Sequence, residues 1–185
     1  MVAVSGHPYL SIFAAMAAGI ISGFVTAFLQ TKMGIDSLLA GIIVNTGLYS
    51  INMAVMGNSS LVNMNTTETI YTVVKNALKG TPLASYYKLI VIGAAVLLVI
   101  VFLSLFLRTR LGLAIRATGN NPDMVRSSSI NPVFTTIVGL CVANAFTALS
   151  GCLMTQSQKS VSIDVGSGMV TVALASLLIG RAFFG

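Results

Sequence analysis

Polar side chains set inside long apolar runs are the first candidates for chemistry in this chain. Asn45, Tyr49 and Asn52 stand at i, i+4 and i+7, which places them on one face of a helix. Two amides and a phenol in such a run cannot face hydrocarbon cheaply. They must meet another helix, the commoner use of such groups, or line a wet path. Asn144 and Thr147 occupy a later apolar run, where Thr136, Gly139, Ala143, Thr147 and Ser150 form a stripe of small and hydroxylated residues. Asn45, Tyr49, Asn52, Asn144 and Thr147 are therefore the candidates for the polar wall of a substrate path. None of them carries a charge or a strong nucleophile, so the chemistry they offer is reversible hydrogen bonding.

The second constellation lies between two apolar runs, over residues 108–132. Asn121 is placed to cap a helix whose first residue is Pro122. Asp123 favours the positive end of that helix. Pro132 disfavours helical geometry at Asn131, so Asn131 and Pro132 read as the cap and first residue of the next long helix. The expected result is a short helix held between two turns, with Met124 and Val125 as exposed apolar side chains beside Arg126. Exposed apolar groups on a rigid element suggest a docking surface. An ordinary solvated loop is the competing reading, and the residues alone leave both open.

Other chemistries lack their parts. The carboxylates are Asp36, Glu68, Asp123 and Asp164, all in connecting segments or at the ends of apolar runs. A proton relay through buried acids is thus without its usual members. There is no Gly-x-x-x-x-Gly-Lys-Ser/Thr loop for phosphates, no Cys/His cluster for a metal and no hydrolase elbow. His7 stands alone near the amino end. Cys141 and Cys152 are about 16 Å apart along a helix, too far for a disulfide. No metal and no cofactor bound by this chain is expected. Ten Lys and Arg against four Asp and Glu give a net charge of +6. Without an aromatic-and-basic module that excess does not indicate nucleic acid; it suits loops beside anionic lipid headgroups.

The elements that must position these residues follow from composition. Only 8% of residues are charged, 56% are hydrophobic and the mean hydropathy is +0.94, against about 25% charged in a soluble domain. The bilayer is the solvent here. The pattern predicts an all-α, polytopic transmembrane helix bundle, one transmembrane domain over 1–185. About five spans are expected, near 9–30, 37–56, 89–107, 133–154 and 169–185. Both ends of the chain are abrupt, and the bundle is expected to be incomplete at each. In the first span Ala15, Gly19 and Gly23 recur every four residues, which lets helix backbones approach. Arg108, Arg110, Arg116 and Arg126 all fall between the third and fourth spans, so the positive-inside rule puts segment 108–132 in the cytoplasm. The opposite loop, 57–88, holds Ile70, Val73, Val74, Ala77 and Leu78 at helical spacing, behind Asn65 and Glu68 at capping-box distance. Gly80 and Pro82 stop that pattern. It reads either as a short helix on the membrane surface or as a lid packed on the bundle. Asn58-Ser59-Ser60 and Asn65-Thr66-Thr67 match glycosylation sequons, a pattern common by chance in such loops.

Gly112, Arg116, Ala117, Gly119 and Asn121, followed by a short helix ending at Ser129-Ile130, resemble the coupling segment of permease subunits of ABC importers of the branched-chain amino acid, ribose and nucleoside type. That family usually has Gly-Ile where this chain has Ser129-Ile130, and paired alanines where it has Met124-Val125-Arg126. Those departures, with Gly41-Ile42-Ile43, Leu48 through Asn52, Met56-Gly57 and Gly166 through Gly180, are similar to a subgroup of amino-acid, sometimes tryptophan-linked, permeases. The resemblance covers about Gly19 to Gly180. It implies a multi-pass protein of a prokaryotic plasma membrane that does no bond-making itself. It implies partners: a second permease subunit, an extracytoplasmic solute-binding protein, and an ABC ATPase that carries ATP and Mg. The coupling residues it implies are Arg116, Gly119, Asn121, Pro122, Asp123, Met124, Val125, Arg126, Ser129 and Ile130. Two other functions remain compatible with the residues: a channel or ion-coupled carrier that works without an ATPase, and a structural membrane subunit with no path.

Overall fold

Proline sits at helix starts in this chain. Pro8, Pro122 and Pro132 each begin a helix, where the missing N–H costs nothing. Between these starts the apolar runs are free of proline and fold as long helices. The computed structural model describes residues 7–63, 68–77 and 86–184. In chain order the elements are α1 (Pro8–Lys32), α2 (Ser37–Val55), β1 (Leu61–Asn63), α3 (Ile70–Ala77), α4 (Tyr87–Arg108), α5 (Arg110–Asn120), α6 (Pro122–Ser127), α7 (Pro132–Gln158), β2 (Ser160–Ser162) and α8 (Asp164–Phe184).

The fold is an all-α polytopic bundle. Among the described residues α1, α2, α4 and α7 are long and apolar enough to cross a membrane. The fifth apolar run falls within α8, which begins at Asp164, five residues before the run itself. α7 likewise continues past its apolar run to Gln158. Hydropathy marks where side chains leave hydrocarbon, and a helix has no need to end there.

α1 and α7 form the spine. Gly19 and Gly23 stack their bare faces against α7. A β-carbon on Gly19 would lie 2.5 Å from the Asn144 carbonyl oxygen and 2.7 Å from Ala148 Cβ. One on Gly23 would lie 2.7 Å from the Leu140 oxygen. The small-residue repeat expected for close packing is thus used for it, and Ala27 continues the buried face. α2 and α4 lie at the edges, and apolar side chains such as Ile51, Leu97, Leu98 and Leu105 are exposed. Exposed apolar surface is what a helix facing lipid tails or further transmembrane segments presents.

Alternating helix directions leave two ends. One end carries the 33–36 turn and the elbow α5–α6. The other carries α3 and an antiparallel pair, β1 with β2, in the register Leu61↔Ser162, Val62↔Val161 and Asn63↔Ser160. Ile163 N–H adds a bond to the Ser60 carbonyl at 3.2 Å. α3 is a packed lid. Tyr71 is only 4% exposed, and the helix rests on α4 and α7. The sequon at Asn65, and Leu78, Gly80 and Pro82, lie outside the described residues.

Candidate functional site

The elbow begins with a sharp break. Thr109 is extended, its Oγ1 donates to the Phe106 carbonyl at 2.6 Å and accepts from Gly112 N–H at 3.2 Å. The chain folds back so tightly that a β-carbon on Gly112 would overlap the Phe106 oxygen and lie 2.5 Å from Leu107 Cα. Only glycine fits. α5 then docks on α7. Ala114 is buried, Ile115 Cγ2 would sit 3.3 Å from a β-carbon on Gly139, and Thr118 Oγ1 meets the buried Thr135 Oγ1 at 2.8 Å.

α6 has six residues and could not persist alone. It is held at both ends. Asn121 Oδ1 accepts from Asp123 and Met124 N–H at 3.0 and 3.1 Å. At the other end Ser129 takes a left-handed φ of 60°, which brings its N–H to the Arg126 carbonyl and Ile130 N–H to the Val125 carbonyl, at 3.2 and 3.3 Å. That is a Schellman closure. The hydroxyls of Ser127 and Ser128 both donate to the Met124 carbonyl, at 2.7 and 3.1 Å. Asn131 Oδ1 repeats the cap for α7, accepting from Val133 N–H at 2.9 Å.

One expectation is corrected here. Val125 is not exposed: it is 2% accessible, in the angle where α6 touches α5 and α7. Successive helical residues point about 100° apart, so a helix lying against two others cannot show both Met124 and Val125. Met124 is the one presented, at 63% exposure. Around it Arg116, Gly119, Asn121, Pro122, Asp123, Arg126, Ser129 and Ile130 belong to the same outward elbow, and all are exposed. Asp123 and Arg126 approach to 3.9 Å in solvent, a pair that contributes little to stability.

The polar residues of the spans separate into groups. Asn45, Tyr49 and Asn52 line one cavity of about 360 Å³ at the end of α2 away from the elbow, walled on its far side by Val161, Ser162 and Ile163. Asn144 and Thr147 do not line it. Asn144 sits at the α1–α7 seam with its Nδ2 donating to the Leu140 carbonyl at 2.9 Å, and Thr147 Oγ1 donates to the Ala143 carbonyl at 3.0 Å. Sequence spacing identified the α2 face. It gave no sign of the β2 wall, because three-residue strands of Ser and Val carry no period.

A buried polar hub was also missed. Gln156 is 1% exposed at the end of α7 away from the elbow. Its Oε1 accepts from Ile70 N–H at 3.1 Å, and its Nε2 donates to Ser11 Oγ at 3.0 Å and to Cys152 Sγ at 3.4 Å. One amide thus ties α1, α3 and α7 together. The signal was the i, i+4 pair Cys152–Gln156, with the amide just beyond the end of the apolar run at 154.

The whole chain, residues 1–185, matches the family described as branched-chain amino acid transport system / permease component. The chain belongs to this permease family. It is 32% identical over 185 residues to a tyrosine transport system permease protein of Clostridioides difficile (strain R20291), an alignment covering 96% of this chain and 56% of that protein. It is also 32% identical over 175 residues to an uncharacterized protein of Rickettsia prowazekii (strain Madrid E), covering 94% and 58%. The chain therefore spans little more than half the length of these curated relatives. No solved structure matches it. Within the permease chain, the positive φ at Ser129 gives the physical reason why the resemblance expects glycine there.

Proposed function

We propose that this chain is part of the membrane subunit of an ATP-driven importer in a prokaryotic plasma membrane. The elbow lies on the cytoplasmic side, where its four arginines belong. A separate ATPase, holding ATP and Mg, docks on it. A second permease subunit completes the path and an external solute-binding protein delivers the solute. The solute is small, such as an amino acid, in keeping with the tyrosine transport name of one relative. The α2 cavity, walled by the two amides and the phenol of Asn45, Asn52 and Tyr49, contributes neutral hydrogen-bonding groups to that path.

The observation that carries this reading is the elbow itself. α6 is a short helix capped at both ends, shows a large apolar side chain, and is joined through α5 and the Thr118–Thr135 contact to the foot of α7. A push on Met124 has few soft joints in which to dissipate. α7 then runs about 40 Å unbroken to the Gln156 hub, so displacement at the foot reaches the lid at the other end.

Met124→Asp tests it, because Met124 is mostly exposed and its replacement should leave the fold intact. In proteoliposomes holding the whole permease with its ATPase, ATP-driven uptake should fall at least about tenfold, the range expected for loss of an interface anchor, with an unchanged melting temperature. Unchanged uptake and ATPase co-purification would overturn the docking role. Uptake that proceeds without any ATPase would favour a channel or carrier instead.

A further inference from the structure

α4 stands off from α7, meeting it at the Phe102–Phe146 edge contact with ring centroids 5.6 Å apart. Above that contact lies an open cleft of about 400 Å³ walled by apolar side chains, among them Val96, Ile100, Leu149 and Leu153. Its volume is within the range of small-molecule sites, about 300–1,000 Å³. At the end away from the elbow the cleft shares Tyr71, Ser157 and Gln158 with a second, polar cavity of about 280 Å³. Lys75, Lys88 and Lys159 line this second cavity, and among the described residues no carboxylate lines either one. Lys75 is held there by the Tyr87 ring, its Nζ 5.8 Å from the centroid. Among the described residues the one ion pair is Asp123 with Arg126, at the opposite end of the molecule. Three ammonium groups thus surround the mouth of an oily slot, with no carboxylate among the described residues that line it.

We propose that this cleft holds one anionic phospholipid, with an acyl chain along α4 and α7 and the phosphate among Lys75, Lys88 and Lys159. The two halves of the site fit the two halves of that ligand. A free phosphate would leave the apolar cleft unfilled. An apolar transmembrane helix would fill it yet supply no anion to the lysines. The Tyr71 hydroxyl lies buried at the seam of the two cavities without a hydrogen-bond partner among the described residues, and burial pushes its pKa upward. Ser157 is close enough to oppose that shift but outside hydrogen-bonding geometry. A buried donor of this kind calls for an acceptor, and the ester and phosphate oxygens of the lipid are the nearest in kind.

The test uses the whole permease in phosphatidylcholine vesicles doped with a photoreactive lipid bearing a diazirine on one acyl chain. The lipid is either phosphatidylglycerol or phosphatidylcholine, and cross-linked peptides are mapped by mass spectrometry. The phosphatidylglycerol probe should label Ile92–Ile100 and Phe146–Met154 at least about tenfold more than the phosphatidylcholine probe. Each Lys→Gln change at 75, 88 or 159 should cut that preference about fivefold, from the worth of one basic residue at an anionic surface. Inorganic phosphate at millimolar concentration should compete weakly. Equal labelling by the two probes overturns the proposal. So does absence of label from both segments, which would mean that protein fills the cleft, and so does abolition of labelling by inorganic phosphate, which would mean an anion site without a lipid. The wild-type ratio is itself decisive, so the result stands even where a lysine variant expresses poorly.

Discussion

Along α1, Gly19 and Gly23 bring the backbone of α7 so close that no β-carbon fits between, whereas α4 touches the same helix at little more than one aromatic edge. Both α1 and α4 are apolar throughout, and α4 is the more hydrophobic of the two. Hydrophobicity therefore did not decide which helix joined the spine. Lipid tails are as apolar as leucine, so greasy side chains gain nothing by leaving lipid for one another. What distinguishes α1 is the run of small residues that lets dispersion contacts and a buried polar hub form. The leucine-rich face of α4 remains available to whatever surrounds it.

The sharpest way to break this contrast is to add volume on each side of it. Gly19→Val puts a branched side chain where the Asn144 carbonyl and Ala148 already stand. Neither backbone can move without separating the helices, so the loss should be about 3 kcal/mol, the upper part of the overpacking range. In thermal unfolding of the detergent-solubilised protein this appears as a clear drop in melting temperature. The control is Gly41→Ala on α2, where nothing lies within 4 Å of the new β-carbon. Better helix propensity should stabilise it by about 0.5–1 kcal/mol. Equal effects at the two glycines would mean that α1 and α7 are not seamed as described.

How far the sequence foretold this division depends on the kind of signal. Membrane class, the long helices and the doubly capped elbow are local properties, written in hydropathy, in Asn121-Pro122 and in Asn131-Pro132. The seam was legible because Ala15, Gly19 and Gly23 share one spacing. The burial of Val125 was not, since it depends on how α6 rolls against α5 and α7, and no residue within α6 specifies that. The Asn45–Tyr49–Asn52 face was visible as a period, but its partner wall on β2 required knowing that residues a hundred positions apart become neighbours. Asn144 looked like those residues in composition and landed elsewhere, because its helix turns that face toward α1.

Gln156 extends the comparison to the end of the spine away from the elbow. Gln156→Leu keeps the volume and removes both hydrogen-bonding ends. Ile70 N–H and Ser11 then lose buried partners, a cost of about 2 kcal/mol within the usual range for stranded polar groups. Hydrogen exchange should locate the damage: the amide of Ile70 and its neighbours in α3 should exchange faster, while those of α5 and α6 stay unchanged. Uniform acceleration over the whole chain would show that the hub supports global stability and not the attachment of the lid.

A small effect, of the same stabilising sign as the Gly41 control, lies at the elbow. Ser129 holds a φ of 60°, a conformation that glycine adopts freely and a side chain does not. The reason it is held there is the closure of α6: without a left-handed residue at this position, Ile130 N–H could not reach the Val125 carbonyl. Its own hydroxyl makes no bond among those found in the elbow, where Ser127 and Ser128 supply the hydroxyl contacts to Met124. Ser129→Gly should therefore stabilise the elbow, by about 1 kcal/mol at most, because relief of the left-handed strain is partly offset by the greater freedom glycine gives the unfolded chain. Slower exchange of the α6 amides would report it, with Gly19-dependent melting of the spine left as it was. A destabilised variant would instead mean that the serine side chain holds a contact that matters more than the backbone angle, and that α6 is kept in place by something other than its two caps.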